Sequence, residues 1–239
     1  MKDVVSRLPA ARKAKLIDVA LSHIAEVSYL RLAQRGFRPG AIIDIGAYQG
    51  DWTRLIARAF PRVPILMVEA QVEKKRHLDA IRSDIPSAGY ELCLLGSGEE
   101  SEVVFHVMES GSSTYSERSN VPRVQRTLKT RTLDNVLKQH PGLSGPFFIK
   151  LDVQGAEIDI LRGAESALRK TEIVQLEVAL MQYNEGAPTA NAVLNFMEER
   201  GFLLFDVCGF VRPSPSYLTQ IDVLLVSRDS TLRRDFFTF

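Results

Sequence analysis

Short apolar segments alternate along most of this chain with segments whose apolar residues recur at helical spacing. The apolar segments predict buried strands at 41–47, 65–70, 90–96, 147–153, 173–180, 202–210 and 221–227. Helices are predicted between them at 50–60, 72–82, 155–169 and 189–200. Continuous apolar strands that alternate with helices are typical of a mostly parallel sheet covered on both faces. The sequence therefore predicts a doubly wound α/β fold, whose last two strands pair antiparallel because no helix separates them.

The domain organisation follows from the two segments outside this alternation. Residues 1–36 are predicted as an N-terminal helical extension, because apolar residues recur at helical spacing from about 10 to 35. Gly36 ends that pattern. Residues 37–239 are predicted as the main domain, interrupted by a long insertion near 99–146.

The insertion contains two β-rich segments, at 102–108 and 124–133, that predict a hairpin. It precedes the strand at 147–153, at the edge of the sheet where ligands bind in doubly wound folds. We therefore expect the insertion, together with the N-terminal helix, to supply a lid or an acceptor-recognition surface.

Composition and charge argue against several classes of protein. The 239 residues carry a formal net charge of +1, so bulk charge gives no reason to expect a nucleic-acid partner. No apolar run approaches the roughly 18 residues of a membrane span, and the first residues lack the apolar core of a secretory signal. The two cysteines are far apart, which favours free thiols in a reducing compartment. A cytoplasmic protein is therefore expected.

A glycine-containing turn, DIGAYQG at 44–50, joins the first predicted strand to the first predicted helix. Small residues there let backbone N–H groups approach a ligand, and the helix N-terminus adds further donors. Gly46 and Gly50 are separated by three residues, so the turn is not the GxGxxG of a typical NAD site. Asp44 strengthens the prediction of a binding site, because a carboxylate within an apolar strand needs hydrogen-bond donors or an opposite charge as partners. The alternative is a tight turn that binds nothing.

Glu69 ends the second predicted strand, about 20 residues after the glycine turn. An acidic residue at this spacing can accept hydrogen bonds from both hydroxyls of a ribose. Together the turn and Glu69 indicate an adenosine-containing ligand, with S-adenosylmethionine or a nucleotide equally compatible. Taken alone, Glu69 is also compatible with a solvated strand end.

Further carboxylates end later strands, and one histidine lies in the insertion. Asp152 ends the strand before the segment QGAE, and is expected to face the Gly46 turn across the crevice. Glu177 alternates with apolar neighbours and either binds a substrate hydroxyl or ties the strand to a basic partner. His106 either faces a substrate or packs within the insertion. The histidines show no zinc-ligand spacing, so no metal site is predicted. No GxSxG elbow or P-loop occurs, which argues against a hydrolase or a phosphoryl-transfer enzyme.

These motifs resemble the FkbM family of S-adenosylmethionine-dependent methyltransferases. The resemblance runs over about residues 37–227, and its most specific part is FFIKLDVQGAEIDILRGA at 147–164. It implies a Rossmann-like, seven-stranded class I fold with S-adenosyl-L-methionine as cofactor. It also implies methyl transfer, usually to a hydroxyl oxygen of a small-molecule or glycan acceptor such as a sugar or a macrolide-type natural product.

Carried over residue by residue, the resemblance assigns Asp44, Gly46 and Gly50 to the cofactor loop, Glu69 to the ribose and Asp152 to the reacting centre. The remaining residues predicted to bind the cofactor are Ala47, Tyr48 and Ala70, next to these positions, and Gly96 and Ser97 at the end of the third predicted strand. The sequence departs from the family pattern in two places: Tyr48 stands where Asn is common, and Gln71 follows Glu69-Ala70 where the family often has Glu-Pro.

A hydroxyl nucleophile must lose its proton at or before attack, so a general base is expected. Asp152 is the first choice for that role, with Glu177 or His106 as second choices. A divalent metal held by Asp152 would serve the same end, but nothing in the sequence requires one. Two rival functions remain: a dinucleotide-dependent oxidoreductase, which the missing GxGxxG opposes, and a catalytically inactive methyltransferase-like binding module.

Overall fold

A seven-stranded sheet dominates the computed structural model, which describes residues 9–108, 111–118, 120–182, 184–213 and 217–233. The strands of the described residues are β1 Ala41–Ile45, β2 Ile65–Glu69, β3 Ala88–Leu92, β4 Leu94–Leu95, β5 Glu102–Val107, β6 Val124–Arg131, β7 Phe147–Leu151, β8 Thr171–Ala179, β9 Phe202–Val211 and β10 Gln220–Ser227. The main sheet has the order β3-β2-β1-β7-β8-β10-β9. Its first five strands run parallel, and β10 is antiparallel to both of its neighbours. The predicted α/β fold with an antiparallel end is confirmed.

Helices cover both faces of this sheet. The α-helices in the described part of the chain are α1 Ala10–Ser22, α2 Ile24–Gln34, α3 Asp51–Ala59, α4 Lys75–Asp84, α5 Leu133–Lys138, α6 Glu157–Arg162, α7 Glu165–Leu168 and α8 Ala190–Glu199. Short 3₁₀ turns occur at Val72–Lys74 and Thr231–Arg233. None of the helices that the structure describes is long and apolar enough to span a membrane.

Two apolar cores lie on opposite faces of the sheet, because successive side chains of a strand alternate between its faces. Ile43 and Ile149 belong to the core under α6 and α8. Ile42 and Phe148 belong to the other core, where Tyr29 of α2 and Ile56 of α3 pack on them. The N-terminal helical segment therefore covers a sheet face.

Three predicted elements are divided in the structure. The predicted helix at 10–35 breaks at His23, whose backbone leaves the helical conformation. The predicted helix at 155–169 breaks at Gly163, where a Cβ would lie 2.3 Å from the carbonyl oxygen of Gly96. The predicted strand at 90–96 breaks at Cys93, and its second part leaves the main sheet to pair with β6. The divisions at Gly163 and Cys93 depend on tertiary contacts rather than on local periodicity.

The insertion forms a small sheet of order β4-β6-β5. Its β5 and β6 pair antiparallel, with Val104 opposite Thr127, which confirms the predicted hairpin. The short helix α5 follows β6 and was missed by the sequence analysis, because its six residues are too few to establish a period. This small sheet stands beside the carboxyl ends of the parallel strands, where it borders a cavity.

Candidate active site

A cavity opens at the carboxyl edge of the main sheet and encloses about 740 Å³, including the part that is open to solvent. Its walls are mainly apolar, with Ile45, Val68, Leu94, Leu95, Phe105, Val153, Ala156 and Ile160 among the residues that line it. Polar groups enter from Gly46, Tyr48, Glu69, Gln71, Ser112, Ser113, Thr114 and Asp152. A mostly apolar pocket with a few polar groups is typical of a small-molecule site.

The glycine turn closes the cavity beside β1. Gly46 has a φ of 74°, and a Cβ on it would lie 2.0 Å from the carbonyl oxygen of Asp152. Gly50 has a φ of 83°, and a Cβ there would meet the Ile81 side chain at 2.4 Å. Both positions therefore require glycine, because any other residue would add backbone strain and a clash. The amide of Asp152 donates to the carbonyl of Ile45 at 3.1 Å, so the ends of β1 and β7 meet as predicted.

Asp44 lies beneath this turn and is fully buried. Its Oδ2 accepts a 2.6 Å hydrogen bond from the Thr53 hydroxyl, and its Oδ1 lies 3.2 Å from Lys150 Nζ. Burial opposes the positive charge on Lys150, but the Asp44 and Asp152 carboxylates outweigh it and hold the lysine pKa above its ordinary value. Asp44 therefore supports the turn through Thr53 and Lys150, and it is not among the residues that line the cavity.

Glu69 joins the end of β2 to the glycine turn and faces the cavity. One of its carboxylate oxygens accepts the Tyr48 amide at 2.7 Å, and the other accepts the Gln71 amide at 2.8 Å. Burial raises the pKa of Glu69, while these two backbone donors oppose the shift. Because a carboxylate oxygen has two lone pairs, each oxygen keeps a position for a further donor from a ligand.

The insertion supplies one wall of the cavity through Phe105 and residues 112–114. Ser113 pairs with His106 in an isolated antiparallel bridge, and its hydroxyl donates to the Gln154 carbonyl at 2.8 Å. The Tyr115 hydroxyl donates to Asp159 of α6 at 2.9 Å. These contacts attach the segment 111–117, here named the roof, to the loop that follows β7.

Asp152 lines the main cavity, and its neighbour Gln154 lines a second, smaller hollow. Its side chain is 40% exposed and lies 3.5 Å from Lys150 Nζ. The Gln154 side-chain amide donates to Asp152 Oδ1 at 3.1 Å. Of the three predicted catalytic residues, Asp152 is the one that lines the main cavity.

Glu177 borders the second hollow, which encloses about 300 Å³. Carboxamides and carboxyls line this hollow: Gln154, Glu157, Glu177, Gln182, Asn184 and Gln220. Glu177 Oε2 accepts hydrogen bonds from the side-chain amides of Gln154 at 2.5 Å and Gln220 at 2.8 Å. Burial, followed by the charge of Asp152, raises the pKa of Glu177 to about 9. Glu177 is therefore protonated at neutral pH and stands beside the more exposed Asp152.

Two further carboxyls near this pair have raised pKa values, as Glu177 does. Burial raises the pKa of Glu157 to about 7. Burial and the Asp152 charge raise the pKa of Asp222 to about 6, although Lys150 opposes the shift. The site therefore carries more carboxyl groups than nearby Lys150 can neutralise, which favours proton sharing among them.

The structure brings some predicted residues to the cavity and leaves others away from its walls. Ala70 lines it together with Gly46, Tyr48 and Glu69. Ala47 donates its amide to the Val68 carbonyl at 3.2 Å, behind the cavity wall. His106 is buried next to that wall, and its Nδ1 has no hydrogen-bond partner among the described residues.

Gly96 and Ser97 also lie outside the residues that line the cavity. Gly96 packs against Thr130 and Gly163, whereas Ser97 is exposed. Cys93, Leu94 and Leu95, the three residues that precede Gly96, line the cavity instead. The sequence analysis also missed Gln154, which donates to both Asp152 and Glu177. Its position as a polar residue two places after Asp152 is the signal that could have identified it.

The comparisons with known proteins agree with this architecture. The methyltransferase FkbM domain matches residues 44–204 of the chain. Among solved structures, the chain is similar to WbdD, with 15% sequence identity, a TM-score of 0.52 and coverage of 91% of this chain but 42% of WbdD. It is also similar to precorrin-6y C5,15-methyltransferase from Geobacter metallireducens, with 10% identity, a TM-score of 0.46 and coverage of 84% and 85% of the two chains. No curated protein matches the sequence.

At these identities the likeness to solved structures concerns the fold alone, so the family rests on the domain match. That match spans well over half of the chain and contains the glycine turn, Glu69, Asp152 and Glu177. The sheet order and the antiparallel end are those of a class I methyltransferase fold. The chain belongs to the FkbM family of methyltransferases, whose methyl donor is S-adenosyl-L-methionine.

Proposed function

We propose that this enzyme methylates a hydroxyl oxygen of a small-molecule or glycan acceptor, with Asp152 as the base that receives the hydroxyl proton. The observation that carries the proposal is the pair formed by Asp152 and Glu177 at the boundary of the cavity. Asp152 is partly exposed, whereas burial raises the pKa of Glu177 to about 9, so that Glu177 holds a proton at neutral pH. A hydroxyl nucleophile needs such an acceptor for its proton.

The cavity beside this pair fits the methyl donor. Apolar walls and the buried carboxylate of Glu69 suit a nucleoside, because a carboxylate at this strand end can accept hydrogen bonds from ribose hydroxyls. The turn at Gly46 and Tyr48 and the neighbouring Ala70 would complete its binding site. When bound, S-adenosyl-L-methionine supplies a methyl group carried on a positively charged sulfur, and the excess of carboxylates around Asp152 favours such a cation.

The same charge distribution constrains the acceptor. Asp152 lies close to Glu177 and Asp222, whose pKa values its charge raises. A second anion here would be repelled, so an acceptor that carries a phosphate or a carboxylate beside the reacting group is disfavoured. The carboxamides of the second hollow instead present donors and acceptors that suit a neutral, hydroxyl-rich group.

Asp152 acts before or during the formation of the new oxygen–carbon bond. The proton of the acceptor hydroxyl would pass to a carboxylate oxygen of Asp152 as the methyl group moves from the sulfonium sulfur to the acceptor oxygen, which leaves neutral S-adenosylhomocysteine. Lys150, 3.5 Å from Asp152, balances the carboxylate charge and holds its orientation. Glu177, being protonated, places no second negative charge beside Asp152 at neutral pH. The apolar walls restrict water, which keeps the proton transfer local.

The test combines binding with transfer. Calorimetric titration with S-adenosylhomocysteine first measures occupancy of the cavity. Methyl-labelled S-adenosylmethionine is then offered with a panel of monosaccharides, methyl glycosides and simple alcohols, alongside phosphorylated sugars. We expect label on a hydroxyl oxygen of a neutral acceptor, and a loss of about 10²–10⁴-fold in rate with Asp152→Asn, the usual contribution of a general base.

Two results would contradict the proposal. Label on nitrogen, carbon or a carboxyl oxygen would exclude hydroxyl transfer. Binding of S-adenosylhomocysteine without transfer to any member of the panel would favour the alternative of an inactive binding module. Asp152→Asn should bind S-adenosylhomocysteine within about threefold of wild type, since it removes the base and keeps the cavity. That control separates lost catalysis from lost binding.

A further inference from the structure

Gln154 adopts a backbone conformation that few residues of its kind adopt. Its φ is 54°, in the left-handed region, and Gly155 follows with a φ of 105°. A residue with a Cβ is uncommon in this region and is held there only when its surroundings require it. The contacts of Gln154 must therefore stabilise this conformation, whereas glycine at the same position would adopt it without such support.

The side chain of Gln154 connects the two carboxyls of the pair. Its Nε2 donates to Asp152 Oδ1 at 3.1 Å and to Glu177 Oε2 at 2.5 Å. A primary amide carries two N–H donors, so both bonds can form at once. Glycine or alanine at this position would leave the two carboxyls without a common donor.

The backbone carbonyl of Gln154 is equally occupied. It accepts the Ser113 hydroxyl at 2.8 Å and the Asn184 side-chain amide at 2.6 Å. Both donors are buried, Ser113 in the roof and Asn184 in the segment between β8 and α8. These two bonds hold the left-handed backbone in place, and they aim the side chain at the carboxyl pair.

We propose that Gln154 is a positioning residue, whose carboxamide fixes the separation and orientation of Asp152 and Glu177 while its carbonyl anchors that arrangement to the roof of the cavity. The proposal rests on the proposed function only for the role of Asp152 as base. The link that Gln154 makes between Asp152 and Glu177, here named the clamp, is a property of the folded chain without any ligand.

The charge of the surroundings explains why an amide suits this position. The groups that face the pair are Lys150 on β7, Asp222 and Gln220 on β10, and Glu157 on α6. A glutamate at position 154 would add another carboxyl to this set and could not donate two hydrogen bonds. The amide supplies two donors without a charge, so it lowers the cost of holding the two carboxyls together.

The test is a titration of the full-length chain in the absence of any ligand. The side-chain carboxyl carbons of Asp152 and Glu177 are followed by ¹³C NMR between about pH 4 and 10, a range that contains the ordinary and the raised carboxyl pKa values. Gln154→Asn is the first variant, because asparagine tolerates the left-handed backbone but is one methylene shorter. Gln154→Gly, which removes the side chain and tolerates the same backbone, is the second.

Loss of an N–H donor disfavours the charged form of a carboxyl, so the titration midpoint of Glu177 is expected to rise in each variant, by about half a unit or more. Gln182→Asn is the matched control, since Gln182 borders the same hollow but donates to the Ala187 carbonyl instead. It should leave the midpoint of Glu177 unchanged. A folded Gln154 variant in which Glu177 titrates as in wild type would overturn the proposal.

A second readout distinguishes positioning from general structural support. The Gln154 side chain borders the second hollow and is not among the residues that line the main cavity. Gln154→Asn should therefore bind S-adenosylhomocysteine within about threefold of wild type while the Glu177 midpoint moves. Loss of S-adenosylhomocysteine binding with an unchanged Glu177 midpoint would show a structural role alone and would overturn the positioning role. Absence of methyl transfer by the wild-type enzyme, together with a shifted midpoint in the Gln154 variants, would count against the proposed function and leave the role of Gln154 in the carboxyl pair supported.

Discussion

Two pairs of carboxyls at the same sheet edge are held in different ways. Asp44 and Glu69 form the cofactor-side pair, in which the Thr53 hydroxyl donates to Asp44 and two backbone amides donate to Glu69. Asp152 and Glu177, the acceptor-side pair, share the Gln154 amide and lie close enough for the charge of Asp152 to raise the pKa of Glu177. Each carboxyl of the cofactor-side pair therefore has a hydrogen-bond donor of its own, whereas a shared donor joins the carboxyls of the acceptor-side pair.

The difference shows how one sheet edge can hold one pair of carboxyls rigidly and let another pair exchange a proton. The donors to the cofactor-side pair belong to the backbone or to the packed helix α3, so they are in place before a ligand binds. The cofactor-side pair is therefore preorganised. Crowded carboxyls reduce their repulsion by retaining a proton, so the acceptor-side pair can hold and exchange one near neutral pH. The following changes test that contrast, from the largest expected effect to the smallest.

Lys150→Met should have the largest effect, because Lys150 is the cation that contacts both pairs. Its Nζ lies 3.2 Å from Asp44 and 3.5 Å from Asp152. Removing one partner of a buried ion pair leaves an uncompensated charge and typically costs about 3–5 kcal/mol. We expect a loss of that size in the free energy of unfolding, measured in urea at neutral pH.

Lys129→Met is the control for this change. Lys129 forms a surface ion pair with Glu100, and such exposed pairs contribute about 0–1 kcal/mol. If both variants lose the same small amount of stability, Lys150 does not hold the two pairs together.

Glu69→Gln should weaken the cofactor side alone. The amide that replaces one carboxylate oxygen would face a backbone N–H of Tyr48 or Gln71, and the charge available to a ligand would be lost. We expect S-adenosylhomocysteine to bind about 10–100-fold more weakly by calorimetry, equivalent to one or two lost hydrogen bonds to a charged group. Glu177→Gln, on the acceptor side, should change that affinity by less than about threefold. Equal losses in the two variants would erase the distinction between the pairs.

The pH dependence of stability should come mainly from the acceptor side. Burial raises the pKa of Glu177 to about 9 and that of Glu157 to about 7, so the folded state binds more protons than the unfolded state above their ordinary range. Their stabilising contribution is complete below the unfolded pKa and is lost as pH rises through the folded pKa. The free energy of unfolding should therefore fall as pH increases, by up to about 1.4 kcal/mol per unit for each such group.

Glu177→Gln should flatten the part of this decline that lies above about pH 7, since it removes the group with the highest pKa of the set. Glu102→Gln, at an exposed position on β5, should leave the decline unchanged. Urea unfolding at several pH values measures both. A wild-type stability that stays constant through this range would show that Glu177 does not retain its proton.

Ser97→Ala should have the smallest effect. The family resemblance places Ser97 at the cofactor, whereas the structure leaves it exposed and outside the residues that line the cavity. We expect the affinity for S-adenosylhomocysteine to change by less than about twofold, because no contact is removed. A loss of tenfold or more would support the assignment of Ser97 to the cofactor site.

Much of the architecture was accessible without coordinates. Buried parallel strands are continuous apolar runs, and their lengths and spacing predicted every strand of the main sheet to within a few residues. The strand-order rule then placed Asp152 opposite the Gly46 turn, and the Asp152 amide does bond to the end of β1. Breaks at Cys93 and Gly163 were not predicted, because they arise from pairing with β6 and from close packing against Gly96.

The sequence alone determined where carboxylates follow strands and which of them converge, because strand direction and connection handedness leave few arrangements. Only the tertiary structure decided the hydrogen-bond partners and the proton affinity of each carboxylate. Glu69 obtains backbone donors from a turn 21 residues away, and Glu177 obtains Gln220 from 43 residues away. Burial, shared donors and neighbouring charge depend on contacts between distant parts of the chain, so they determine proton affinity in a way that local pattern does not record.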